Sequence, residues 1–280
     1  MYSDKSIIVQ QEFFDDHQAR FSLETTRGYK IALTQFFSFC KKDYDSVKAT
    51  DIRSWLAYLE EKGLKPRSIH LKLSALKSFY RYCLEENKLT KNPLLTVHTP
   101  QIDDSLPYYL SRREIALLQE ITRHIHRDRV IVEALYATGV RISELLQIQF
   151  DDVKWETRQI WIREGKGNKE RFVLFTHECA ERLKIYLNYR KGESKYLFSN
   201  HRGGKLSRAF VENQFRGFSK ELGFRVTPHT LRHTFAAHLA EKNMPQSYIQ
   251  ELLGHVNINS TRIYTRLMEH ARKKQYDRYQ

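Results

Sequence analysis

A chain of 280 residues has room for two domains, each able to bury its own core. A composition that is 41% hydrophobic and 29% charged, with only 11 glycines and 6 prolines, excludes a fibrous or disordered protein and suits a folded, largely helical one. The formal charge of +14 favours a polyanionic partner, because Lys and Arg that neutralise phosphates release condensed counterions.

Residues 1–100 carry 16 basic against 12 acidic side chains and residues 101–280 carry 31 against 21, so the excess is +4 and then +10. A strong phosphate site is therefore expected in the second part. No apolar run approaches the roughly 18 residues of a membrane helix, and Met1–Gln10 lacks a signal-peptide pattern. These features predict a cytoplasmic protein without membrane contact. Cys40, Cys83 and Cys179 are widely spaced and lack metal-ligand patterning, which predicts ordinary buried thiols.

The first hundred residues read as four helices. A short one lies near Ile7–His17, and a longer one near Glu24–Lys41 takes its apolar face from Ile31, Leu33, Phe36, Phe37 and Cys40. The third, Asp51–Glu61, has Thr50 as its expected N-cap and Gly63 to end it. The fourth opens on Pro66 and runs to Glu86 with Ile69, Leu73, Leu76, Phe79, Tyr80 and Cys83 at helical intervals. Pro93, Pro100 and Pro107 then break the pattern. The expected layout is a four-helix bundle over 1–98, a linker over 99–108 and a second domain over 109–280.

In the second domain Ser111 and Glu114 form a capping box that starts a helix through Gln119, and Arg129–Ala137 gives another, ended by Gly139. A short helix follows at Ser143–Gln147. Arg158–Leu174 changes character: Ile160, Ile162 and the run Phe172–Phe175 flank Gly165-Lys166-Gly167-Asn168, which predicts two strands and a tight turn. Helical pattern resumes over Thr176–Tyr189, Ser207–Leu222, Pro228–Glu241, Pro245–Leu253 and Ser260 to the C-terminus. The fold class is mainly α, with a small β-hairpin in the second domain.

Five short stretches attract notice, and each has a bland explanation by itself. Gly139-Val140-Arg141-Ile142-Ser143-Glu144-Leu145 reads as a glycine-led turn between helices, with Arg141 solvated. Lys166 sits in a glycine-flanked turn. Pro228-His229-Thr230-Leu231-Arg232-His233 fixes a helix start that brings His229 and Arg232 onto nearly one face. His229 and His233 have the spacing of helical zinc ligands, but Thr230 stands where the companion Glu is expected, so no metal is assigned. Leu252-Leu253-Gly254-His255 ends a helix at a glycine, and Tyr264 is one of 16 tyrosines.

Taken together, in this order and spacing, the five stretches resemble the tyrosine recombinase, or phage integrase, family, including its Xer and transposon-resolvase members. The match spans about Tyr109–Ala271, and the N-terminal bundle with its Pro-broken linker is similar to the family's SAM-like core-binding domain. The resemblance implies that Arg141, Lys166, His229, Arg232, His255 and Tyr264 are the catalytic set. It further implies a 3′-phosphotyrosine at Tyr264 and proton donation by Lys166 to the departing 5′ oxygen. Thr265-Arg266 after the nucleophile and Asn243 before Met244 depart from frequent family residues; Asn tolerates the left-handed backbone that a glycine would adopt there.

The residue types suit the chemistry. Two arginines stay charged at any working pH and donate paired hydrogen bonds to phosphate oxygens. A phenol with a pKa near 10 needs neighbouring cations and a base to become a nucleophile. Because the ester conserves the bond energy, no cofactor, ATP or metal is expected. Arg67, Lys72 and Arg208 are further candidates for DNA contact. The resemblance also implies a double-stranded DNA partner with an inverted-repeat core site, and a homotetramer linked by the tail Leu267–Gln280.

Rival readings are a type IB topoisomerase with the same chemistry, a DNA-binding regulator that has kept the fold, and a metal nuclease built on Asp151-Asp152. Chromosome-dimer resolution, cointegrate resolution and integration all fit the motifs, as does action alone or with a second recombinase. A bundle that begins almost at Met1 favours a simple resolvase over a larger phage integrase.

Overall fold

The computed structural model describes residues 4–98, 107–163, 170–190 and 192–254, together with residues 267, 273, 276 and 277. The chain divides into two compact units, Met1–Asp103 and Asp104–Gln280. It is mainly helical, with one small sheet in the second unit.

The first unit is built from α1 (Asp4–Asp16), α2 (Leu23–Cys40), α3 (Ala49–Glu61) and α4 (Pro66–Glu85), with a single 3-10 turn at Tyr44–Ser46. Pro66 occupies the first turn of α4, where its fixed φ suits a helix and its missing N–H removes no bond. Leu33, Phe36, Phe37, Trp55, Ile69, Leu73 and Phe79 make a dry core. Its rings meet edge to face, as Phe13 on Phe79 at 5.6 Å and Phe36 on Trp55 at 5.1 Å, the arrangement that the aromatic quadrupole prefers. Tyr80, fully buried, satisfies its hydroxyl by donating to the Tyr44 carbonyl at 3.1 Å.

Three expectations are corrected here. The buried stripe of α2 is Ala32, Leu33, Phe36 and Phe37, and Ile31, next to Ala32 in the chain, is 46% exposed. Cys40 is correspondingly only half-buried, whereas Cys83 and Cys179 are fully buried. Thr50 does not cap α3. The helix begins at Ala49, and the Lys48 amide donates to the Asp51 carboxylate at 2.9 Å, so the longer, charged side chain supplies the cap from inside the first turn.

The second unit opens with α5 (Arg112–Ile121), whose capping box is complete: the Glu114 amide donates to Ser111 Oγ at 3.2 Å, and the Ser111 amide donates to Glu114 Oε2 at 2.7 Å. α6 (His126–Thr138) stops at Gly139, φ 62°, and α7 (Ile142–Leu145) follows at once. β1 (Val153–Lys154), β2 (Gln159–Ile162) and β3 (Arg171–Leu174) form an antiparallel sheet in that order, with Ile160 opposite Val173. The two strands expected there pair as the sequence reads, and β1 is an addition to them. The expected turn at Gly165–Asn168 lies outside the described residues, as do the stretch 99–106 and nearly all of the helix expected from Ser260.

α8 (His177–Tyr189), α9 (Arg208–Leu222), α10 (Pro228–Glu241) and α11 (Gln246–Leu253) complete the unit. Thr176, Ser207 and Thr227 cap α8, α9 and α10 through their hydroxyls. α10 is buried almost all round, with Ala236, Ala237 and Ala240 keeping it close to its neighbours α6 and α11. Asn243 takes the left-handed conformation, φ 63°. Among the described residues no helix is long and apolar enough to cross a membrane.

Candidate catalytic site

Two residues singled out in the sequence, Arg141 and Arg232, meet at the end of α6. Arg141 is the N-cap of α7, two residues after Gly139, and its Nη1 donates to Glu144 Oε1 at 2.6 Å while its amide donates to Glu144 Oε2 at 2.8 Å. The anchor is deep and the fork is not: the Glu144 side chain is 2% exposed and that of Arg141 26%. An arginine held at one corner by a buried carboxylate has a fixed orientation, and a guanidinium has donors beyond that one pair.

Arg232 lies one turn into α10 and is buried. Its Nη1 donates to the Gly139 carbonyl at 2.6 Å and its Nη2 to the Leu253 carbonyl at 2.7 Å. One planar group thus ties the end of α6 to the end of α11, and both carbonyls belong to helix C-termini, whose partial negative charge suits a buried cation. His229, in the first turn of α10 and three residues before Arg232, is exposed. Its ring meets that of His233 at 4.3 Å in a T-shaped contact.

Two residues that build this cluster were not singled out in the sequence, Glu144 and Arg171. Arg171, at the start of β3, grips Glu144 with both terminal nitrogens, Nη1 to Oε1 at 3.1 Å and Nη2 to Oε2 at 2.8 Å, and its Nε donates to the Leu252 carbonyl at 3.2 Å. Burial pushes the Glu144 carboxyl up, but the hydrogen bonds and charge of Arg171, with those of Arg141, outweigh it and hold the group below its ordinary value. Arg141 and Glu144 have capping-box spacing, a signal that was available; Arg171 stands 27 residues from Glu144 and has no local signal.

Lys166, His255 and Tyr264 lie outside the described residues. α11 ends at Gly254, φ 61°, so the chain leaves towards His255 and Tyr264 from a helix end that Arg171 and Arg232 both hold. Of the other candidates, Arg67 is exposed in the first turn of α4. The Lys72 ammonium donates to Gln35 Oε1, and burial lowers its pKa. Arg208 pairs with Glu212 at 2.7 Å on the exposed side of α9. Asp152 accepts from the Gln149 amide at 2.8 Å and from Arg163 Nε at 2.6 Å, a cap and an ion pair.

Residues 109–270 match the phage integrase family profile, and residues 12–87 match the phage integrase N-terminal SAM-like domain. The tyrosine recombinase XerC of Bacillus subtilis (strain 168) is 32% identical over 277 residues, covering 92% of this chain and 91% of the relative. The tyrosine recombinase XerA of Pyrococcus horikoshii is 34% identical over 268 residues, covering 93% and 90%. Among solved structures, XerA recombinase superposes with a TM-score of 0.56 at 30% identity, covering 98% of both chains. XerH recombinase in a pre-cleavage complex with its difH substrate gives a TM-score of 0.68 at 25% identity, covering 95% of this chain and 83% of that one. The chain belongs to the phage integrase family and is an Xer-like tyrosine recombinase, a site-specific recombination enzyme.

Proposed function

We propose that the chain cuts and rejoins double-stranded DNA at an inverted-repeat core site through a 3′-phosphotyrosine on Tyr264, without metal or ATP. Arg141 and Arg232 clamp the non-bridging oxygens of the scissile phosphate and stabilise the charge that builds there during phosphoryl transfer. His229 and His255 ease ionisation of the Tyr264 phenol, and Lys166 protonates the departing 5′ oxygen. Strand rejoining reverses the sequence, with a new 5′ hydroxyl attacking the ester.

The observation that carries this reading is the pair of arginine forks fixed around Gly139. Arg232 holds its carbonyl, and Arg141 follows two residues later, anchored on Glu144 with its outer edge exposed. Positioning of this kind is most of what a phosphoryl-transfer enzyme contributes. The net charge of +10 over residues 101–280 supports a polyanionic substrate, and the XerH relative is captured with a substrate of its own. The bundle of residues 1–98 serves as core-binding domain and residues 109–280 as catalytic domain, joined by 99–108. The enzyme acts in the cytoplasm.

The test is denaturing recovery of covalent protein–DNA adducts after incubation with nicked fragments of the source DNA, without metal or ATP, wild type beside Tyr264→Phe, followed by sequencing. Adducts are expected from the wild type alone, clustered at an inverted repeat. If neither protein yields adducts while both shift DNA, the catalytic reading fails. Assembly as a homotetramer through the tail Leu267–Gln280 is tested separately: removing the tail weakens cooperative assembly more than single-site binding, and an unchanged gel-shift ladder refutes it.

A further inference from the structure

Two arginines from different elements end on the last turn of α11. Arg232 takes the Leu253 carbonyl from α10, and Arg171 takes the Leu252 carbonyl from β3. Arg171 differs in what else it holds, since its two terminal nitrogens straddle Glu144, and Glu144 holds the Arg141 fork. Among the described residues Arg171 alone hydrogen-bonds both Glu144 and α11. The group is 11% exposed and packs where Gly254 has no side chain: a Cβ at Gly254 would stand 2.9 Å from its Nε and Cζ. An open glycine position, a buried carboxylate and a helix carbonyl converge on one planar group. Three nitrogens in one plane reach two carboxylate oxygens and a carbonyl here, a spread that the single nitrogen of a lysine does not reproduce.

We propose that Arg171 is a positioning residue for strand cleavage, fixing the Arg141 fork and the end of α11 that leads to Tyr264 in one register. The inference rests on the reading of Arg141 as phosphate clamp and Tyr264 as nucleophile. Arg171 acts through these groups. Its loss therefore slows the chemical step and spares binding of the duplex.

The test uses full-length wild type, Arg171→Lys and the charge-neutral pair Arg171→Gln/Glu144→Gln on a nicked duplex carrying the site recovered by adduct sequencing. Single-turnover adduct formation is measured on that duplex and on one with a methyl group replacing one non-bridging oxygen of the scissile phosphate. Both variants are expected to cleave the native phosphodiester about 100-fold more slowly, the scale of a misplacement near 1 Å, with duplex affinity within about threefold of wild type. The deficit shrinks on the uncharged methylphosphonate, which demands less of the arginine clamp, and Arg171→Lys adds little to the loss in Arg141→Lys because both act on one group. Thermal unfolding within a few degrees of wild type shows that at least one variant is folded. Cleavage at the wild-type rate, equal slowing on charged and uncharged substrates, or losses that multiply with Arg141→Lys would each overturn the proposal. A wild type that makes no Tyr264-dependent adduct overturns the functional reading itself, and this inference with it.

Discussion

Replacing Gly139 by alanine tests whether the end of α6 is as constrained as its geometry indicates. The residue sits at φ 62°, where an L side chain costs roughly 1–2 kcal/mol relative to glycine. A Cβ there would also fall 2.3, 2.7 and 2.9 Å from three ring atoms of Phe235, a residue of α10 that is itself only 9% exposed. No real Cβ contact is so short, so the ring must move within a filled core, at a cost of about 1–3 kcal/mol. Gly223, which ends α9 at φ 73° in the same unit, supplies the internal reference, because a Cβ there meets nothing within 4 Å and only the backbone cost applies. With roughly 2–4 °C per kcal/mol for a unit of this size, Gly223→Ala should lower Tm by about 2–8 °C and Gly139→Ala by a further 2–12 °C or so. Calorimetry reads both against the same transition, since both residues belong to the second unit. Equal Tm losses would show that Phe235 gives way freely and would refute the claim that the Gly139 corner is sterically fixed.

Three other predictions follow from buried charge and exposed charge. Because the folded-state pKa of Glu144 is depressed, its contribution to stability is fully present above the ordinary glutamate value near pH 4.3 and is lost as pH falls through the lower folded value. Urea midpoints of wild type should thus fall more steeply between pH 6 and pH 3 than those of Glu144→Gln, and parallel curves would contradict the shift. Arg129→Met strands the buried Glu133 carboxylate, whose side chain is 4% exposed, and should cost about 3–5 kcal/mol by urea unfolding; Arg129→Met/Glu133→Leu should recover most of it. Arg67→Ala and Arg208→Ala should each reduce the slope of log affinity against log salt by about 0.9 if each neutralises one phosphate, and an unchanged slope removes that residue from the interface.

The parts of the fold that were legible are those in which a short-range rule decides the outcome. Ser111 with Glu114, Pro66, Pro228, Gly139 and Gly254 mark helix ends through hydrogen bonds or backbone angles that involve only near neighbours in sequence, and each is where it was read. β1 was missed because two residues, Val153 and Lys154, carry no period; the strand exists only because β2 is there to pair with it. The exposure of Ile31 was missed because the sequence shows that α2 is apolar without showing which turn of the stripe meets α4.

The site divides along the same line. Arg141 and Arg232 were legible as residue types in a recurrent spacing, but the groups that aim them were not. Arg171 reaches Glu144 across 27 residues and Leu252 across 81, distances over which no local pattern survives. The signal that could have exposed Glu144 was its position three residues after Arg141, which at a helix start places a carboxylate beside the N-cap amide; here that same carboxylate also takes the arginine side chain.

The burial of Arg232 explains why the site needs helix ends as well as acids. A guanidinium that is 4% exposed is stable only if its environment answers its charge and its donors. The Gly139 and Leu253 carbonyls do both, because each closes a helix and carries the negative end of its dipole, and neither can be neutralised by a proton as a carboxylate can. Both carbonyls therefore answer its charge at any pH. Glu144 plays the complementary part for Arg141 and Arg171: two guanidinium groups on one carboxylate leave a net positive cluster. Arg141, Arg171 and Arg232 are thus placed by the Glu144 carboxylate and by three helix-end carbonyls, the fixed setting that the proposed phosphate clamp calls for.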